Sequence, residues 1–326
     1  MNLGPYFIIV IAGVTSALCY VSVAFAPPPA FLLGYIAPLT ILIAGLGWGV
    51  GASSGAVVIA TLINLLISGF GTSLFYLIAV GGPAVWLSHL AVLGRAAPVT
   101  PGATGDSAIE WYPLGRLLIW AGVLGGTALA LTFARAHFDL EAYTAPIQAV
   151  LKELLKGRAG TTSEGEQYSY ALELSDNLAY ALPLAAALLW TTTTLVNLWL
   201  AARITQYSGQ LPRPWPDLAA IELPPLFLAA FFAIFAFAAL AGGALGYVAA
   251  FYASALALVW IVIGLGVLHV VTRGRSFRRP LLIFIYVILI IFGWPAVPLM
   301  VLGVVEQFVQ LRRRFTRAPS SPSPLS

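Results

Sequence analysis

Charge is what this sequence has least of. Only 9% of its 326 residues are Asp, Glu, Lys or Arg, against roughly 25% in an ordinary soluble domain, and a water-facing surface of the usual kind is therefore excluded. Cysteine is nearly absent: Cys19 stands alone, so neither an intrachain disulfide nor a thiolate metal cluster can form. The three histidines, His89, His137 and His269, fall in separate segments without paired ligand spacing, and no HExxH-type zinc motif occurs. No Asp or Glu lies deep in an apolar run, which leaves a carboxylate relay for proton-coupled transport with little support. With no nucleophile and base pair and no metal set in view, the chain is expected to be non-enzymatic, without cofactor or metal and without a nucleic-acid partner.

What is there is hydrocarbon: 60% of the residues are hydrophobic, arranged in long unbroken runs. The hydrocarbon core of a bilayer is about 30 Å thick and an α-helix rises about 1.5 Å per residue, so around 20 apolar residues make one span. Backbone polar groups in lipid must be satisfied within the segment or in a closed barrel, and runs rich in Leu, Ala and Gly choose helices. The expected fold is all-α, a polytopic transmembrane helical bundle of about nine spans, with a range of eight to ten, and a surface amphipathic helix.

The first helix is expected over about Gly4 to Ala26, ended by Pro27, Pro28 and Pro29. Ala24-Phe25-Ala26 looks like a signal-cleavage site, but no Lys or Arg precedes the run and the run is long, so a retained helix is the reading. Helices follow over Phe31 to Leu46, Trp48 to Phe70 and Thr72 to Leu93, the last two joined by a turn at Gly69 and Gly71, giving a four-helix block, 1–94, with almost no charge. Gly94 to Tyr112 has loop chemistry, and Pro113 to Ala134 forms the fifth helix. An insertion, 135–176, carries Leu140, Tyr143, Ile147, Val150, Leu151 and Leu154 at helical spacing opposite Glu141, Lys152, Glu153 and Lys156, which predicts a helix on the membrane surface or against the bundle. C-terminal helices fill 177–311: Asn177 to Arg203, then Pro224 to Val271 divided at Gly242-Gly243, then Leu281 to Val305. Residues 1–317 are read as one membrane domain and 318–326 as a disordered tail.

That last run contains Gly293-Trp294-Pro295 and Pro298, so it is either one kinked helix or a re-entrant hairpin. Arg95 and Arg116, Arg203 and Arg213, and Arg273, Arg275, Arg278 and Arg279 all fall on one face for this helix count. The positive-inside rule makes that face cytoplasmic and puts the N-terminus there too, in a bacterial inner membrane. A single final span would carry Arg312, Arg313, Arg314 and Arg317 outside, which favours the hairpin or a sharply broken helix.

Four polar residues are candidate ligand contacts, because they sit at membrane depth: Asn64, Thr191, Thr194 and Asn197. Helix cross-linking is the commoner role for such uncharged groups. Gly47, Gly51 and Gly55, four apart, suggest a close-packing face on the third helix, where Gly51→Leu would disrupt folding. Arg213 and Trp215 in Arg213-Pro214-Trp215-Pro216-Asp217 suggest an interfacial anchor or docking surface. Glu306 precedes the terminal arginines by less than two turns; a solvated helix end is its plainer reading, and a partner contact with Arg312 the sharper one.

The sequence resembles the uncharacterised YybS-like family of bacterial membrane proteins. The resemblance rests on Tyr35 to Pro38 leading to Ile43-Ala44-Gly45-Leu46-Gly47-Trp48-Gly49, on Arg213-Pro214-Trp215-Pro216 leading to Leu223-Pro224, and on Gly303 followed by Glu306 and Leu311-Arg312. Near the end the family pattern has Asp and Trp where this chain has Glu306 and Phe308. The family has no established activity and is distantly similar to the substrate-binding subunits of energy-coupling factor transporters and to the rod-shape protein MreD. In those transporter subunits small residues on the first helix dock a coupling subunit, a role the resemblance would give to Ala12, Gly13, Ser16 and Ala17.

Two functions follow as expectations. The first is a transport-related membrane subunit that binds a small molecule or lipid and works with protein partners. The second is a scaffold of a cell-envelope complex. Reporter fusions are expected to place the N-terminus, Ala97 and Ser208 in the cytoplasm and Ser163 outside; a cytoplasmic Ser163 reverses the orientation.

Overall fold

The structure, a computed structural model, describes residues 4–25, 31–96, 109–159, 166–216 and 221–316. The tail 318–326, Ala97, Ser163 and the prolines Pro27 to Pro29 lie outside these residues. In chain order the helices are α1 (Gly4–Phe25), α2 (Phe31–Trp48), α3 (Val50–Tyr76), a π-helical turn (Leu77–Gly81), α4 (Gly82–Val92), α5 (Leu114–Ala134), α6 (Leu140–Ala159) and α7 (Glu166–Tyr207). Then come α8 (Pro225–Ala241), α9 (Gly243–Val271), α10 (Arg278–Phe292), α11 (Ala296–Val309) and α12 (Leu311–Thr316). Among the described residues, five helical stretches are long and apolar enough to cross a membrane: Tyr6–Val23, Val50–Val92, Leu114–Ala134, Glu173–Tyr207 and Gly243–Val271. Leu32–Trp48, Pro225–Ala241 and Ala296–Val309 are apolar but shorter. The chain is an all-α protein with the helices of a multi-pass membrane protein.

Val50–Val92 is not one rod. Gly69 adopts φ 80° and ψ 176°, a conformation that a Cβ would oppose, and the chain reverses there. The Ser73 hydroxyl donates to the Thr61 carbonyl at 2.8 Å, and Gly81 lies against Val57, as only a hairpin centred near Gly69 allows. The expected glycine turn is present, followed by a π-helical turn that the sequence did not announce.

The order of the helices follows from pairs of contacts. Ser16 donates to the Ala37 carbonyl and Thr40 to that of Ala12, so α1 and α2 are antiparallel. Asn197 reaches the Tyr35 carbonyl while Gly47 meets Thr205 and Gln210, so α2 and α7 run parallel. Tyr247 donates to the Tyr180 carbonyl and Ser254 to that of Leu184, which makes α9 parallel to α7. Gly122 against Leu256 and Gly126 against Tyr252 make α5 antiparallel to α9. Every loop carrying Arg95, Arg203, Arg213 or Arg273 therefore sits at one end of the bundle.

Several expected boundaries move. Trp48 ends α2 rather than opening α3, because Gly49 breaks the helix at φ 87°. Gly94 to Tyr112 is not wholly loop: Gly94–Ala96 and Ile109–Trp111 pair as two antiparallel strands, β1 and β2. The insertion carries α6 and the first turns of α7, which begins at Glu166, eleven residues before the expected start. At 42 residues it is roughly 63 Å long, so it extends well beyond a core of about 30 Å. Its N-terminal part pairs with α6 through Lys152 and Asp176 at 3.4 Å. The first turn of α6 docks on the bundle, where Tyr143 shares a hydrogen bond with Thr132 at 2.7 Å and packs with Phe133, Tyr247 and Phe251.

The final run turns back. From the arginine end of α9 the chain enters α10, with His269 and Tyr286 3.0 Å apart, and reverses at Gly293, whose φ is 71°. After α11, Arg312 donates to the Ile221 carbonyl at 2.9 Å, beside the start of α8 and again at the arginine end. The limbs, α10 and α11, are 15 and 14 residues long, roughly 22 Å each and shorter than a span.

The small-residue face lies elsewhere than expected. Gly47 belongs to α2 and meets α7 at Thr205, Gly51 has open space around it, and Gly55 meets α1 at Ile9, so the three form no common face. The tightest crossing joins α9 and α11 at Gly264 and Gly303, where a Cβ on Gly303 would stand 3.1 Å from the Gly264 nitrogen and would also strike the Trp260 carbonyl. Ala12, Ser16 and Ala17 are buried within the bundle, and Gly13 abuts Ala56, so the α1 face that the resemblance would offer to a coupling subunit is already occupied. Gly303→Leu is expected to destabilise the protein by about 1–3 kcal/mol through overpacking, and Gly51→Leu to leave the thermal midpoint in detergent unchanged. Equal melting of the two variants would refute the crossing.

Candidate ligand cavity

Away from the arginine end, the helices part around a cavity of about 460 Å³. Its walls come from α1 (Tyr20), α2 (Tyr35), α3 (Ser68, Thr72 and Phe75), the π-helical turn (Ala79), α5 (Thr132) and α7 (Trp190, Thr193 and Thr194). Among the described residues no Asp, Glu, Lys, Arg or His lines it; the walls are apolar, with a few hydroxyls. The π-helical turn widens the helix at the wall, a distortion that recurs at functional sites.

The threonine run of α7 divides its labour. Thr191, Thr192 and Thr193 donate to the carbonyls four residues earlier, Ala187, Leu188 and Leu189, which satisfies hydroxyls in an apolar setting. Thr194, only 5% exposed, makes no hydrogen bond to the described residues and lines the cavity. Thr191 instead fills the space left by Gly125, where any Cβ would strike its hydroxyl, and so joins α5 to α7.

Of the four expected ligand contacts, then, only Thr194 lines the cavity. Asn197 stands behind the wall: its amide nitrogen donates to the Tyr35 carbonyl at 2.7 Å and the Thr193 carbonyl at 2.9 Å, positioning two wall residues. Asn64 is fully buried and donates to Ala60 at 2.8 Å, apart from the cavity. The amide oxygens of both asparagines lack a partner among the described residues. Near Asn64 a second link ties three helical segments, since Ser16 donates to Ala37 at 2.7 Å and accepts from the Tyr76 hydroxyl at 2.7 Å. Sequence reasoning missed Tyr20, Ser68, Thr72, Phe75 and Trp190, because nothing local tells a cavity-facing side chain from a lipid-facing one. Among the described residues no group of His, Cys, Asp and Glu is placed to hold a metal ion.

The residues expected at a partner surface are engaged within the chain. Arg213 donates to the Ala91 carbonyl at 3.0 Å, satisfying an orphan at the end of α4, and burial pushes its guanidinium below the ordinary arginine range. Trp215 lies under Arg203, 3.7 Å from guanidinium carbon to ring centroid. These contacts staple the loop to the bundle instead of presenting both groups as a free docking surface.

Glu306 is not a solvated helix end. It is 5% exposed and accepts from Arg312 Nε at 2.9 Å and from the Arg312 backbone N–H at 3.2 Å. Gln310, in the left-handed conformation, turns the chain so that this contact can close. Arg313 meets Glu222 at 2.6 Å, and this pair, with Arg312 held by Glu306 against the Ile221 carbonyl, clasps the final helices to the segment before α8. Breaking a buried pair from one side leaves a stranded charge and costs about 3 kcal/mol. Glu306→Ala is expected to speed tryptic cleavage at Arg313 and Arg314 in detergent, and Glu306→Leu with Arg312→Leu to restore much of the protection; unchanged cleavage in Glu306→Ala would show that the clasp is not closed.

No family model, curated protein or solved structure matches the chain.

Proposed function

We propose that the chain is a non-enzymatic membrane subunit that binds a small molecule or lipid in the cavity between α1, α2, α5, α7 and the hairpin at Gly69. The observation that carries this is the cavity itself, whose 460 Å³ falls in the 300–1,000 Å³ typical of small-molecule sites, with the Thr194 hydroxyl left unpaired in its wall. Hydroxyls without a neighbouring carboxylate or imidazole suit binding better than catalysis. A cavity also favours a binding role over a scaffold, which would need its bundle filled.

The gathering of arginines at one end, with the positive-inside rule, supports an orientation with that end and the N-terminus in the cytoplasm of a bacterial inner membrane. The cavity then lies toward the opposite leaflet. On this orientation α10 and α11 form a re-entrant pair beside the spans. Kinship with the YybS-like family is part of the same proposal and rests on the motifs around Gly45 to Gly49, Arg213 to Pro216 and Gly303 to Arg312.

Native mass spectrometry of detergent-purified protein tests the reading. The wild type is expected to retain a non-covalent adduct that Ala186→Phe and Ser68→Trp, each filling the cavity from a different helix, lose while melting normally. Equal adducts in all three proteins would place the ligand elsewhere.

A further inference from the structure

One cation stands beside the cavity. Arg135 caps α5 at the end of the bundle opposite Arg95, Arg213 and Arg273, one turn beyond Thr132 in the cavity wall. Its guanidinium carbon lies 6.0 Å from the centroid of Phe75, whose side chain lines the cavity. Side chains of α5 and α3 thus meet at one exposed guanidinium beside the cavity.

That guanidinium has no anion among the described residues. Arg95, Lys152, Arg312 and Arg313 each meet a carboxylate, whereas Arg135 forms neither a salt bridge nor a side-chain hydrogen bond with the described residues. The nearest acid in sequence, Asp139, caps α6 by accepting from the Glu141 and Ala142 N–H groups at 2.9 and 3.1 Å. An arginine at a helix C-terminus also complements the helix dipole, but that role is met by a side chain in solvent and does not call for contact with Phe75.

Resting on the reading of the cavity as a ligand site, we propose that its ligand is an amphipathic anion, with the hydrocarbon part between the apolar walls and a carboxylate or phosphate at Arg135. A guanidinium matches both groups with paired, charge-assisted hydrogen bonds. The Phe75 ring, 6.0 Å away, favours a cation at this place. Thr194 offers a hydroxyl within the apolar part of the site, suited to a polar substituent along the ligand.

The test uses the full chain in detergent, with radiolabelled laurate as probe and dodecyl phosphate and dodecanol as competitors. Laurate and dodecyl phosphate are expected to bind about tenfold more tightly than dodecanol, a difference of about 1.4 kcal/mol. Arg135→Gln should erase that gap without weakening dodecanol, and Arg135→Lys should recover part of it. Ala186→Phe should lose all three ligands. Displacement of laurate in nanodiscs of phosphatidylglycerol, but not of phosphatidylcholine, would identify an anionic lipid as the source of the acid; retention in both would identify a free amphiphile. A dodecanol affinity equal to that of laurate, or a gap that survives Arg135→Gln, overturns the anion assignment while loss of binding in Ala186→Phe keeps the cavity as the site. Absence of any binding, or full binding in Ala186→Phe, overturns the cavity reading and the anion assignment with it.

Discussion

Close backbone approach along α9 is the constraint on which the C-terminal half of the bundle depends. Lipid tails are as apolar as leucine, so helices in a bilayer gain little from the hydrophobic effect and associate through fit. Gly122 and Gly126 bring α5 against Leu256 and Tyr252, and Gly303 brings α11 against Trp260 and Gly264. α9 accordingly holds the largest fully buried side chain, Trp260, which stacks on Phe227 of α8 at 5.2 Å. The neighbours of α9 are located by where their small residues fall, and the short limb α11 is held although it is too short to span.

Where such fit is absent, space opens. The outer parts of α1, α2 and α7 and the hairpin at Gly69 meet through larger side chains, Tyr20, Tyr35, Phe75 and Trp190, and through a π-helical turn whose wider backbone cannot continue the packing. Asn197 keeps this region from being merely loose, since it ties the Tyr35 and Thr193 carbonyls behind the wall. Tight crossings near α9 and an open pocket beside them are two outcomes of one rule, the placement of small residues.

Charge obeys a second rule, that an ionised group in an apolar setting needs a partner or an exit to water. Most arginines exit at one end of the bundle. Glu306 and Arg312 remain buried by pairing, with the Ile221 carbonyl taking a further guanidinium N–H. Arg135, at the other end, has the Phe75 ring but no carboxylate among the described residues, which is why it bears on the chemistry of the cavity.

The sequence by itself determined the class of fold, because residues 1–94 contain almost no charge and runs of that length cannot leave their backbone groups unpaired in lipid. It also determined the break at Gly69, the division at Gly242-Gly243 and the common end of the arginine-bearing loops, since these depend on local composition. What only the tertiary structure decided is which small residues are used and which polar ones face space. Gly51 and Gly303 look alike in sequence, yet one stands open and the other touches a backbone, because the rotation of a helix about its axis is set by its neighbours. Thr191 and Thr194 differ by a single turn of α7, yet one fills a notch at Gly125 and the other borders a cavity. Glu306 looked solvated beside three arginines, and the left-handed turn at Gln310 folded it inward. Each of these depends on contacts between residues distant in the chain, which helical periodicity, a local property, cannot encode.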